Sequence, residues 1–432
     1  MRAFLAQILI FVSFVYVCLP FSVCSADKVK TSFGGQVKAS FYGTDYSNDS
    51  IQSELENGHW YDTDINLRIK SRTFFNDNLS FDCHYVLASS KGDSIHSTEF
   101  FSEKYPETYI PQIFKDSFDS DDARLMDLSS KIKQGNDYTI NHRLDRFNLS
   151  LDSDFGRMVI GRQAVTWGNG LLFNPMDIVN PFSPYDTDRD YKKGDDLAYF
   201  ETFFNKGDDI QLIYVPRRDI RDGTIMFSES SLGVKYHLLL DNMEFDFLAA
   251  KHYGDDLAGV GFVGTVGNAV LRSDFIYTFT DGDTKDDFFS FIVNIDYSWV
   301  WFKKNFYGFI EYYYSGIGVD DYSKAYTDPG LSARISRGDI FGFGKNYLSS
   351  SIRIELDPLL NFNFAAIANV NDPSYILQPG ITWNVAENFE ITIGSNIALG
   401  KKDNEYGQIE IPFSTKTTDT GSNLFLWITM FF

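Results

Sequence analysis

The feature that most constrains this chain is a hydrophobic period of two, repeated over almost its whole length. Phe33, Gly35, Val37, Ala39 and Phe41 alternate with Gly34, Gln36, Lys38, Ser40 and Tyr42. Ile65, Leu67 and Ile69 alternate with Asp64, Asn66, Arg68, Lys70 and Arg72, and Leu79, Phe81, Cys83, Tyr85 and Leu87 with Ser80, Asp82 and His84. The same pattern returns in Phe289 to Trp299 and Phe389 to Leu399. One apolar and one polar face per segment argues for β-strand. Eighteen such segments can be marked, the first at 33–42 and the last at 422–432. No comparable run has helical spacing. The stretch 116–134 could form a short amphipathic helix through Phe118, Leu125, Leu128 and Ile132, inside a polar region expected to be loop.

Many alternating strands can build a soluble sandwich or a transmembrane barrel. In the first the apolar face packs inward; in the second it meets lipid and the polar face lines a wet lumen. Three observations favour the barrel. The segments run about 9–11 residues, the length that crosses a bilayer at a tilt. Their ends carry aromatic girdles, as at Trp60-Tyr61, Trp299 to Trp301, Tyr312 to Tyr314 and Trp383. Their polar faces carry Arg68, Lys70 and Arg72, which a dry core does not tolerate unpaired. The expectation is an all-β transmembrane antiparallel β-barrel of about 16 to 18 strands. An aromatic content of 17% excludes disorder. A net charge of −21 argues against a nucleic-acid partner.

Arg2, the apolar run Ala3 to Val17 and the small residues Cys24-Ser25-Ala26 read as a signal peptide over 1–26, leaving 27–432 as the barrel. Of the three cysteines only Cys83 then remains, so no internal disulfide can brace the chain. A closed hydrogen-bonded barrel is another way to stabilise it. Short turns such as 75–78 and 240–242 are expected on one side, and long polar loops at 89–137, 167–195, 315–345 and 400–421 on the other. Strand one begins close behind the leader, which argues against an energised receptor with a plug domain.

The final residues, Leu-Phe-Leu-Trp-Ile-Thr-Met-Phe-Phe, put Leu424, Leu426, Ile428, Met430 and Phe432 on one face. An alternating apolar strand that ends in Phe resembles the recognition strand of Gram-negative outer-membrane proteins. A second resemblance lies in 156–196. Gly161-Arg162-Gln163, Trp167-Gly168, Asn174-Pro175-Met176-Asp177 and Asn180-Pro181 look like a pattern of poorly characterised porin-like barrels, and more distantly of exopolysaccharide-export barrels. These resemblances imply residence in the bacterial outer membrane and engagement of the barrel-assembly machinery through Phe432. They also imply contact with lipid and lipopolysaccharide and a transport or structural role. They name no solute, and a homotrimer is compatible with them.

Pro175, Pro181 and Pro184 cannot sit in a central ladder. Leu171, Leu172, Phe173, Met176, Ile178, Val179 and Phe182 are too apolar for a solvated loop. The segment 168–195 is therefore expected to fold inward as a constriction, with an external loop docked on the rim as the alternative. Lys38, Asp64, Arg68, Lys70, Arg72, Asp82 and His84 fall on polar faces and are candidates for the pore lining. Asp177, Arg189 and Arg272 join them, as does Arg162 if a bulge near Gly161 turns it to the lumen. These charges either filter solutes or merely balance one another along a wet wall.

Nothing in the chain reads as an enzyme, and no cofactor or metal is expected. The six histidines show no metal spacing, and there is no Gly-x-Ser-x-Gly elbow or phosphate loop. The expected function is a porin-like channel for passive diffusion of small polar solutes or ions. The alternatives are a structural or adhesive barrel without an open pore, and a polysaccharide-export channel.

Overall fold

The computed structural model describes residues 25–26, 29–106, 110–114, 120–188, 190–204, 207–281 and 286–432. Eighteen long strands follow in chain order. They are β1 Val29–Asp45, β2 His59–Phe74, β3 Leu79–Gly92, β4 Tyr138–Ser153, β5 Gly156–Gln163 and β6 Asp195–Phe203. Next come β7 Asp209–Val215, β8 Ser231–Leu240, β9 Met243–His252, β10 Asp255–Val266, β11 Ala269–Phe279 and β12 Phe288–Trp301. Last are β13 Lys304–Ser315, β14 Asn346–Asp357, β15 Leu360–Asn369, β16 Ser374–Ala386, β17 Phe389–Leu399 and β18 Ser422–Phe431. Each pairs antiparallel with its neighbour in sequence, and β18 pairs with both β17 and β1, closing the ring. At the seam Gly35 and Phe432 exchange backbone hydrogen bonds of 2.8 and 3.1 Å. Closure leaves none of the eighteen strands as a sheet edge, which is what a bilayer demands of β-structure. The number of strands sits at the top of the expected range, and every expected segment overlaps one observed strand.

The alternation has the physical cause inferred for it. Phe147, Leu149 and Leu151 on β4 are exposed on the outer wall, while Asn148 and Ser150 between them are buried on the inner side. The same holds for Val293 and Ile295 on β12, with Asn294 buried between them. One end of the barrel carries tight turns. At Phe302-Lys303 both residues take positive φ, 47° and 60°, the handedness that matches strand twist in two-residue hairpins. The other end carries the long connections 93–137, 164–194, 316–345 and 400–421.

The inner face is not uniformly polar. Leu248, Ile276, Ile292 and Ile367 alternate with outward residues and yet are buried. They pack against residues of the 164–194 connection, in two apolar clusters centred on Trp167 and Met176 and on Leu172 and Phe173.

The helix read over 116–134 is not formed by residues 120–134. They contain turns and a short accessory strand, Ser129–Gln134. Helix in this connection lies earlier, at α1 Asp93–Lys104 and in a single turn at Ile110–Ile113. The accessory strand has a clear cause. β5 is short and reaches β4 only between Phe147 and Ser153. Ser129–Gln134 supplies ladder partners for the part of β4 that β5 leaves uncovered, from Thr139 to Arg143.

Candidate pore and the segment that crosses it

β5 stops at Gln163 because the chain there leaves the wall and enters the ring. Trp167 donates its indole N–H to Gln211 on β7 at 2.7 Å. Asn169 donates from its backbone to Asp274 on β11 at 2.6 Å and from its side chain to the same carboxylate at 2.8 Å. Leu171, Leu172 and Phe173 all donate backbone N–H groups to Glu311 on β13, at 2.7 to 3.0 Å. The Phe173 ring stacks on Tyr313 at 4.6 Å. The chain then turns back. Gln378 on β16 donates to the Tyr185 carbonyl at 3.0 Å, and the hydroxyls of Tyr185 and Tyr406 meet at 2.9 Å. Asp188 accepts from Lys38 on β1 at 2.5 Å. Tyr191 lies under Arg68 at 4.1 Å and accepts from Lys70 at 3.0 Å, both on β2.

The two ends of this circuit are tied together by one residue. The Lys192 ammonium bonds both oxygens of Asp177, at 2.7 and 2.6 Å, and the Val165 carbonyl and Thr166 hydroxyl. All three of its hydrogens are used and the pair is buried. An irregular segment inside a barrel must satisfy its own backbone, because the wall's N–H and C=O groups are already spent on the ladder. Side-chain carboxylates and amides of the wall do that here.

The proposed pore residues are placed differently. Arg72 and Asp82 form a bidentate pair at 2.6 and 2.7 Å. Together with His84 they line a cavity of about 440 Å³ on the short-turn side of the segment. Lys38 lines a second cavity of about 520 Å³, against β13 to β18. Arg68 is consumed by Asp145 at 2.7 Å, Lys70 by Tyr191, and Arg272 by Asp296. Asp64 is half-buried beside Ser90, and Asp177 is the partner of Lys192. Arg189 lies outside the described residues.

Arg162 is a correction. Gly161 has φ of +120°, and a Cβ there would meet the Phe147 carbonyl oxygen at 2.2 Å. The pairing on both sides nevertheless runs without a register shift. Arg162 therefore keeps its parity and does not reach the lumen. It is enclosed by Asp196 at 2.8 Å, Asp121 at 3.0 Å and the Met126 carbonyl at 2.8 Å. These groups belong to the start of β6 and to the chain that leads into the accessory strand. The arginine locks that chain into the gap above β5.

Sequence reading missed Glu311, Asp274, Gln378 and Lys192, which hold the crossing segment. The only available signal was a carboxylate or amide on an inward position opposite an apolar, Pro-rich connection.

The loop end is knitted by two carboxylates. Glu54 takes hydrogen bonds from Lys416 at 2.5 Å and Tyr105 at 2.7 Å, with Lys104 at 2.9 Å. Burial pushes its pKa up, but these partners outweigh burial and bring it to about 2. Glu405 accepts from the Phe343 backbone, the Tyr347 hydroxyl and the Asn369 amide. Burial dominates there and pushes it up to about 7. A third contact joins Ser231, His252 and Asp339 at 2.7 and 3.2 Å. The order resembles a hydrolase triad. Ser231 has no exposed surface and already accepts from Arg217 at 2.5 Å, so the chain reads as a strut. It ties the wall to the loop that follows helix α2, Pro329–Arg337.

No family model and no curated protein matches the sequence. Solved structures do match. OccAB2 of Acinetobacter baumannii aligns over 93% of this chain and 98% of its own, with TM-score 0.53 and 9% identity. OccK5 (OpdH) of Pseudomonas aeruginosa aligns over 92% and 97%, with TM-score 0.52 and 9% identity. OpdQ of the same organism aligns over 94% and 99%, with TM-score 0.51 and 10% identity. The fold is that of bacterial outer-membrane barrels. At these identities the likeness carries the fold alone.

Proposed function

We propose that the chain is a bacterial outer-membrane channel through which small polar solutes or ions diffuse passively. The observation that carries this reading is the crossing segment 164–194. It is pinned to β7, β11, β13, β16, β1 and β2, and it leaves cavities of about 440 and 520 Å³ beside it. A segment fixed across a wide barrel narrows the lumen without filling it. The fold shared with outer-membrane channels of the Occ group supports the same reading.

In this reading 1–26 is a leader removed on export, Phe432 presents the last strand to the assembly machinery, and the outer wall meets lipid and lipopolysaccharide. The competing reading is a closed structural barrel. The apolar packing of Trp167, Met176, Leu172 and Phe173 against the inner wall favours it. Purified protein in a planar bilayer under a salt gradient separates the two. Discrete conductance steps are expected, and the reversal potential gives the sign of selectivity. A silent bilayer with folded protein would sink the channel and leave the closed barrel.

A further inference from the structure

Three cavities follow one another along a single side of the barrel. At the loop end a cavity of about 310 Å³ is lined by Tyr185, Phe343, Gln378, Asn396, Tyr406 and Asn423. Gln378 also lines the cavity of about 520 Å³ below it. That cavity in turn shares Arg353 and Asn361 with a third, of about 420 Å³, beside Ser298 and Asn305 at the short-turn end. The cavity of about 440 Å³ across the lumen shares no lining residue with these three. Next to it, Trp167, Met176 and Val179 pack on Ile213, Leu248 and Ile276 as a dry cluster. Resting on the channel reading above, we infer that solutes cross off-axis, along β13 to β18, and that the mouth of this passage selects uncharged polyhydroxylated solutes of about the size of a mono- or disaccharide.

The chemistry of the mouth carries the choice. Gln378 donates to Asn396 at 3.0 Å, and Asn396 donates to Asn423 at 3.2 Å. The three amides form a head-to-tail line across β16, β17 and β18 near the loop end. Each amide both donates and accepts, so it can exchange partners with a hydroxyl that does the same. Tyr185 stands edge-to-face at 5.8 Å on the buried Tyr406 beside the amides, offering a partly exposed apolar ring with a polar tip. The charged group that lines this cavity is Glu405, whose oxygens are already occupied by Phe343, Tyr347 and Asn369.

An ion entering the mouth sheds water and meets no uncommitted counter-charge among the lining residues, which is costly. A sugar trades its hydrogen bonds nearly evenly and lays a C–H face on the Tyr185 ring. Farther in, the lining carries both signs, Asp186, Asp188, Asp190 and Glu390 with Lys38 and Arg353, so the discrimination against charge is set at the mouth. A volume of about 310 Å³ lies at the lower end of the roughly 300–1,000 Å³ usual for small-molecule sites.

The test is tracer uptake into proteoliposomes holding the full barrel, with glucose, gluconate and lysine as probes. Glucose should enter about fivefold faster than either ion, a ratio within what one lost hydrogen bond produces. Gln378→Leu and, independently, Asn396→Leu should each slow glucose by a similar factor, while Arg157→Ala in the opposite cavity leaves it unchanged. Gluconate or lysine entering as fast as glucose would overturn the assignment of solute class. Glucose slowed by Arg157→Ala and indifferent to both amide variants would overturn the route. If no probe enters and the same preparation passes no current, the channel reading itself fails and this inference falls with it.

Discussion

The carboxylate of Glu311 accepts the backbone N–H of Phe173 at 2.8 Å, inside a fan that also takes the N–H groups of Leu171 and Leu172. A side chain on the wall thus does for an irregular turn what a ladder does for a strand. Glu311 has no exposed surface. Each buried N–H left without an acceptor costs about 1–3 kcal/mol, less what lumen water recovers. Glu311→Ala should therefore detach the tip of the crossing segment. The expected outcome is a larger single-channel conductance with more frequent current fluctuation. Unchanged conductance would mean that the tip does not bound the passage.

Lys192 and Asp177 make a different kind of tie. Both are buried, and removing one partner strands the other charge, at a cost of about 3–5 kcal/mol. Replacing both by apolar residues of similar volume removes the desolvation cost along with the attraction. Lys192→Met alone should sharply raise hydrogen exchange over 165–192. The double variant Lys192→Met with Asp177→Leu should lie closer to the wild type than either single change. Additive effects in the double variant would refute the pairing as the source of order.

The eighteen strands were legible because lipid on one side and water on the other impose the same period on every crossing. Even β18, where Phe425 and Trp427 face inward and stack at 4.4 Å, keeps its outer stripe of Leu424 to Met430. The inward direction of Lys38, Arg68 and Arg72 followed from the same parity. Which of these charges stay available did not follow. Arg72 pairs with Asp82 directly across the ladder, but Lys38 takes its partner from a connection, Asp188, and Arg68 from a bulge, Asp145. A connection has no period to read. The inward Leu248 and Ile276 look like violations of a polar face until the segment that covers them is placed.

Arg162 shows the same limit and gives a sharp test. Its enclosure between Asp121 and Asp196 makes it a fastener of the wall. Arg162→Met would leave the buried Asp196 without its cation, at about 3–5 kcal/mol, and Asp121 with Arg124 as its remaining partner. The folded yield should fall, and protease should cut between 120 and 134 in what folds. The surviving barrels should keep the wild-type reversal potential. A shifted reversal potential with normal yield would instead restore Arg162 to the pore lining.

The two loop carboxylates should respond to pH in opposite senses. Glu54 is held at about 2, below its ordinary value near 4.5. Its contribution to loop docking is therefore complete above about pH 4.5 and is lost as pH falls toward 2. Glu405 is raised to about 7. Its folded form holds the proton more tightly than the unfolded form, so its contribution is complete below about pH 4.5 and is lost as pH rises through 7. Hydrogen exchange, corrected for intrinsic rates, should show 339–345 and 403–407 loosening between pH 5 and 8 while 51–55 stays protected. Glu405→Gln should flatten that dependence, because the amide cannot ionise. A profile over 403–407 that rises toward acid, or that Glu405→Gln leaves intact, would remove Glu405 as the titrating group.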